Sequence, residues 1–158
     1  MIMATEYLQN GDFSEDLAHW VTPAGFEPDF KPMEGGRGQS IKLNTGVTVS
    51  QSVTELPGTR LHLEFDVHSA ERLGDVFFVV VVGGYNEEGT MNLTQVVSLA
   101  TQEWVHYSGG FDFQEKLKDC FLTMSAPADT SSFSPSGVTR ASQFGPVRFA
   151  SFSLTLAD

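Results

Sequence analysis

The run Leu61-His62-Leu63-Glu64-Phe65-Asp66-Val67-His68 changes between apolar and polar side chains at every step, and a period of two is the repeat of a pleated strand. One face of this segment is made to be buried and the other to be wet. No stretch longer than about a dozen residues keeps the i, i+3, i+4, i+7 stripe of a buried helix. The chain is therefore expected to be all-β. Further strands are expected at 39–44, 47–53, 76–82, 93–99, 103–111, 120–125 and 147–156, with short ones at 7–8 and 25–30. Turn residues separate them at the spacing of two packed antiparallel sheets. Thr45-Gly46 reads as the turn of a hairpin joining 39–44 to 47–53, and a helical turn is expected only near 113–117.

A chain of 158 residues suits one domain, 1–158, with a single core. Hydrophobic residues make up 41% and charged residues 18%, with thirteen Phe, fifteen Gly and seven Pro, a composition that fits pleated surfaces punctuated by turns. The formal charge of −11 repels phosphate backbones and anionic lipid, so neither nucleic acid nor membrane insertion is expected. Val76-Phe77-Phe78-Val79-Val80-Val81-Val82 is too short for a span and reads as a buried strand. Cys120 is the single cysteine, read as a buried thiol in a chain without an intrachain disulfide. Met1-Ile2-Met3-Ala4-Thr5-Glu6 has no basic n-region and no apolar h-region, so a cytoplasmic location is expected, unless the chain is released or built into a particle.

Asn10-Gly11-Asp12-Phe13 followed by Leu17 and Trp20, then Gln39-Ser40-Ile41-Lys42-Leu43, Val49-Ser50-Gln51-Ser52-Val53, Leu56-Pro57-Gly58 before the Leu61 strand, Trp104 opening another and a closing strand over 149–156 form an ordered series. In this order and spacing the chain resembles the galactose-binding-like jelly-roll superfamily, which includes many carbohydrate-binding modules. The resemblance implies a two-sheet antiparallel jelly-roll sandwich and a non-catalytic, lectin-like carbohydrate-binding domain. It also implies that Trp20 and Trp104 pack between the sheets. Many such domains hold a structural calcium on carboxylates after the first Phe and at the start of the last strand. Here Ser14 follows Phe13 and Arg148-Phe149-Ala150-Ser151-Phe152 has no carboxylate, so no cofactor is required. Asp12, Glu15 and the terminal Asp158 are the oxygen donors left for such an ion.

Sugar recognition needs an aromatic face beside hydrogen-bonding side chains. Tyr85 and Asn86 stand on a polar glycine-rich loop at the end of a buried strand. The even-numbered face of the Leu61 strand, His62, Glu64, Asp66 and His68, is the most polar ordered surface, with His106 on a nearby strand. Its ordinary alternative is the solvated face of an antiparallel sheet. Arg37 and Arg140 lie in segments placed to serve as binding loops, and Phe133 with Arg140 sits in the long stretch 130–143. His62 and His68 are separated by roughly 20 Å along one strand, too far to share an ion. No Gly-x-Ser-x-Gly elbow, His-Glu-x-x-His motif or phosphate-binding glycine loop occurs, and no enzyme is expected. The partner is expected to be a carbohydrate or glycoconjugate, with a homo-oligomer supplying multivalency. The competing reading is a structural or protein-recognition domain of a larger assembly such as a viral tail, capsid or contractile particle.

Overall fold

The computed structural model describes residues 6–36, 38–53, 56, 58–69, 75–127 and 144–156. Among them are nine strands: β1 (Phe30–Pro32), β2 (Gln39–Leu43), β3 (Thr48–Val53), β4 (Arg60–Ser69), β5 (Val76–Tyr85), β6 (Met91–Ala100), β7 (Val105–Asp112), β8 (Lys118–Ser125) and β9 (Val147–Leu156). They form two antiparallel sheets, ordered β1-β2-β9-β4-β7 and β3-β8-β5-β6. This is the expected all-β sandwich.

Alternation decides which side of each strand is buried. In β4, Leu61, Leu63, Phe65 and Val67 are buried, whereas His62, Glu64 and His68 stay partly exposed. Phe65 sits at the centre of the core, stacked on Tyr107 at 5.0 Å and on Phe152 at 5.1 Å, and it meets Phe78 of the opposite sheet edge-on at 5.7 Å. Such aromatic pairs contribute roughly 0.5–1.5 kcal/mol beyond their buried area. Leu122, Met124 and Leu154 complete the interdigitation without measurable exposure. The thiol of Cys120 is buried here and bonds the Leu117 carbonyl at 3.4 Å.

The expected 39–44 to 47–53 hairpin does not form. β2 pairs with β9 in one sheet and β3 pairs with β8 in the other, so Thr45-Gly46 carries the chain across the sandwich. The Gly46 amide is satisfied by Ala126 at the end of β8, 2.7 Å away, in place of a hairpin neighbour. Within 113–117 only Gln114 and Glu115 form a bend, and the one 3₁₀ turn among the described residues is Glu34–Gly36. The expected strand at 7–8 reduces to one backbone bond, Tyr7 N–H to the Leu154 carbonyl at 2.9 Å, and that at 25–30 reduces to β1.

The opening motif closes one end of the sandwich. Asn10 holds its own loop by donating to the carbonyls of Asp16 and Ala18, both at 2.9 Å, and by accepting from the Glu15 amide at 2.9 Å. That loop delivers Phe13, fully buried, and Trp20 into the core with their rings 5.2 Å apart. The Trp20 indole N–H donates to the Asn10 carbonyl at 2.9 Å, so its polar atom is satisfied as burial requires.

Candidate functional site

The outer face of the five-stranded sheet holds a groove of about 540 Å³, within the usual range for ligand sites of roughly 300–1,000 Å³. Its floor is Ser40 of β2, Arg148 of β9, and Asp66 and His68 of β4. One wall is Lys31 to Glu34, running out of β1, and the other is Trp104 with His106 of β7. These residues meet because of register. Ser40 pairs with Ala150, Asp66 with Ala150 and with His106, and His68 with Arg148. A bulge shifts the β4–β9 register between Glu64 and Asp66, and Ser151 takes a positive φ of 54° there. Without that extra residue, Arg148 and Phe152 could not face opposite sides of β9.

Arg148 is 3% exposed and pinned. Its guanidinium donates to Asp29 Oδ1 at 2.7 Å, to the Asp29 carbonyl at 3.3 Å and to Ser40 Oγ at 3.3 Å. The same hydrogen bond, with the positive charge behind it, holds the Asp29 carboxyl below its ordinary value.

Across β4 and β7 runs a charged ladder. His106 reaches Asp66 Oδ1 through Nδ1 at 2.7 Å and Glu64 Oε1 through Nε2 at 3.0 Å. Only the imidazolium donates from both nitrogens, and these two hydrogen bonds, that to Asp66 first, raise the His106 pKa above the ordinary histidine value. Farther along, His62 Nε2 lies 3.0 Å from Ser108 Oγ and 3.6 Å from Glu64 Oε2. Both contacts use one nitrogen, so serine, histidine and glutamate are not arranged as a proton relay, which needs the acid on the other nitrogen. Glu64 and Asp66 clamp a single imidazole between them and do not face one another across a cleft.

His68 differs from His106 in burial. Among the described residues its Nδ1 has no hydrogen-bond partner, and desolvation lowers its pKa, opposed in part by the nearby Ser69 backbone. Its ring meets that of Trp104 at 4.2 Å and 66°, edge to face. Trp104 itself is 42% exposed. The expectation that it packs between the sheets is overturned: it stands at the groove wall, because residues 104, 106 and 108 share the outer face of the strand that 105–112 begins. That parity was the signal in the sequence.

The other expected residues are placed elsewhere. Tyr85, 39% exposed, ends β5 opposite Met91, in the other sheet. Asn86 is tied into the following turn, bonding the Glu88 and Thr90 amides and the Glu115 carboxylate. Neither joins the groove. Of the even-numbered face, Asp66 and His68 line it, while Glu64 and His62 continue the ladder beyond it. Arg37, Arg140, Phe133 and Asp158 lie outside the described residues. Asp12 Oδ1 accepts from the Ser14 amide at 3.0 Å, and Asp12 and Glu15 border a shallow hollow with Glu6. Among the described residues no three histidine, cysteine, aspartate or glutamate side chains converge.

No protein-family model matches the chain, and no curated protein matches it. Its fold, in contrast, is shared with solved carbohydrate-binding modules. The CBM22-1 xylan-binding domain from Paenibacillus barcinonensis Xyn10C superposes with a TM-score of 0.64 at 15% identity, over 97% of this chain and 95% of that one. The C-terminal family 22 carbohydrate binding module of Clostridium thermocellum Xyn10B gives 0.65 at 11% identity, over 96% and 94%. A family 16 carbohydrate binding module gives 0.62 at 16% identity, over 94% and 99%. At these identities the likeness is one of fold, that of a two-sheet antiparallel jelly-roll sandwich.

Proposed function

We propose that the chain is a non-catalytic carbohydrate-binding domain whose groove on the five-stranded sheet holds a stretch of neutral polysaccharide. The observation that carries this reading is Trp104, an exposed indole face beside a floor of fixed polar groups. A pyranose offers an apolar face to the ring and a rim of hydroxyls to Asp66, Lys31 and Arg148. Because Arg148 in the floor and His106 in the wall are already held by protein partners, the groove is ordered before a ligand arrives, which lowers the entropy cost of binding. A net charge of −11 argues against acidic polysaccharides. The fold is also that of modules described as binding xylan, so xylan and related neutral chains are the first ligands to try.

The test is affinity electrophoresis and calorimetry against a panel of soluble xylans and glucans. Trp104→Ala removes about 1–2 kcal/mol of apolar contact, so affinity is expected to fall roughly five- to thirtyfold with the melting temperature unchanged. Tyr85→Ala is expected to bind as wild type. A panel silent for the wild-type protein overturns the reading, and binding lost with Tyr85 but not with Trp104 moves the site to the other sheet.

A further inference from the structure

Four strands end the two sheets, β1 and β7 in one, β3 and β6 in the other. An open edge presents unpaired N–H and C=O groups to any passing strand, and proteins guard it with shortness, charge, proline, glycine or a covering segment. β1 is three residues long and contains Lys31 and Pro32. β7 carries Gly109-Gly110 and ends on Asp112. β3 is covered: Val21 and Ser50 exchange backbone bonds of 2.7 and 3.0 Å, and Gln51 clasps the Gln9 backbone at 2.7 and 2.8 Å.

Among the described residues β6 has none of these guards. Met91-Asn92-Leu93-Thr94-Gln95-Val96-Val97-Ser98-Leu99-Ala100 contains no charge, no proline and no glycine, in a chain whose net charge is −11. It runs beside β5 for its whole length without a bulge, and among the described residues β5 is its only strand partner. Met91, Leu93 and Val97 are 47%, 45% and 45% exposed.

We propose that β6 is the surface through which two copies of this chain pair, antiparallel, about a two-fold axis at Gln95. Such an axis sets β6 beside itself, and the sequence is self-complementary in that register. Leu93 lies opposite Val97 of the second copy, Met91 opposite Leu99, and Gln95 opposite Gln95, so outward apolar side chains meet apolar ones. On the other face Thr94 meets Val96 and Asn92 meets Ser98. Moving the axis by two residues either way sets Gln95 against Met91 or Leu99 and shortens the overlap. The neutral strand also lets two acidic chains approach without carboxylates in the pairing itself. Glu87 and Glu88 lie in the turn before β6 and Glu103 in the bend beyond it, so carboxylates gather at the two ends of the pairing and screening by salt strengthens the dimer. Isologous contacts of this kind close on themselves, which distinguishes the proposal from open-ended edge aggregation.

The test is sedimentation of the full chain over a wide range of concentration and salt, with Val97→Lys and Gln95→Cys. The wild type is expected to shift from 17.3 kDa towards twice that mass as concentration rises, and more readily in high salt. Val97→Lys is expected to sediment as a monomer with an unchanged circular dichroism spectrum. Opposed Cα atoms in an antiparallel pair are about 4.5–5.5 Å apart, within the roughly 4.4–6.8 Å that a disulfide spans, so oxidised Gln95→Cys is expected to migrate as a covalent dimer. A wild-type monomer at near-millimolar concentration in high salt overturns the proposal. So does a dimer that survives Val97→Lys, or one in which Gln95→Cys fails to cross-link.

Discussion

Trp20 and Trp104 carry the same side chain to opposite ends, and their neighbours decide which. Trp20 follows a loop that Asn10 folds inward, and its indole N–H finds the Asn10 carbonyl at the margin of the core. Trp104 precedes a strand whose outward positions hold His106 and Ser108, and it follows their parity to the surface. Histidine shows a similar divergence. His106 gains two carboxylates and its pKa is raised, whereas His68 is desolvated and its pKa is lowered. An NMR titration is expected to place His106 above and His68 below the ordinary value of about 6.5. The linkage signs are opposite. Stability from His106 is complete below about pH 6.5 and lost as pH rises through its folded value, while stability from neutral His68 is present above about pH 6.5 and lost as pH falls through its folded value. His106→Asn is therefore expected to abolish the loss on the alkaline side alone, read as the urea midpoint against pH. Asp29→Ala tests the floor differently: it leaves the buried guanidinium of Arg148 with weaker partners, at an expected cost of about 1–3 kcal/mol in urea unfolding.

At the scale of elements, alternation made most strands legible, because a strand with one buried face must write its period into the sequence. It could not say which strands are neighbours. β2 and β3 each bury one face, Ile41 and Leu43 on the first and Val49 and Val53 on the second, and a glycine turn between two such runs serves a hairpin or a crossing between sheets equally well. What decides is Ala126, remote in sequence, waiting for the Gly46 amide. The β9 bulge was illegible for a related reason. Val147-Arg148-Phe149-Ala150-Ser151-Phe152 alternates until Ser151 and then changes phase, which in sequence resembles noise and in the sheet sets Arg148 beneath the groove while keeping Phe152 in the core. The opening loop docks on the same stretch, with the Phe152 amide donating to the Gly11 carbonyl at 2.9 Å. A Cβ on Gly11 would run into the Phe152 carbonyl oxygen, a backbone atom that cannot swing away. Gly11→Ala is expected to destabilise the fold by about 2 kcal/mol or more, measured by denaturant unfolding, with lowered hydrogen-exchange protection at Phe152.

The two proposed sites fall on different sheets. The groove lies on the outer face of the five-stranded sheet, and the unguarded strand β6 ends the four-stranded one, so a β6-linked dimer leaves both grooves free. A single shallow groove binds a sugar chain weakly, but two grooves on one particle convert the second contact into an intramolecular event, and avidity rises steeply where the spacing allows both to engage one polymer surface. This separates the effects of the two sites in a single experiment. On a short soluble oligosaccharide, which engages one groove, Val97→Lys is expected to match the wild type, because residue 97 lies outside the groove. On an insoluble polysaccharide, the same variant is expected to be released about tenfold or more readily, with a depletion isotherm that no longer depends on protein concentration. Trp104→Ala is expected to weaken both. If Val97→Lys and wild type are retained equally on the insoluble polymer, the two grooves of the dimer do not act together, and binding strength belongs to the single groove.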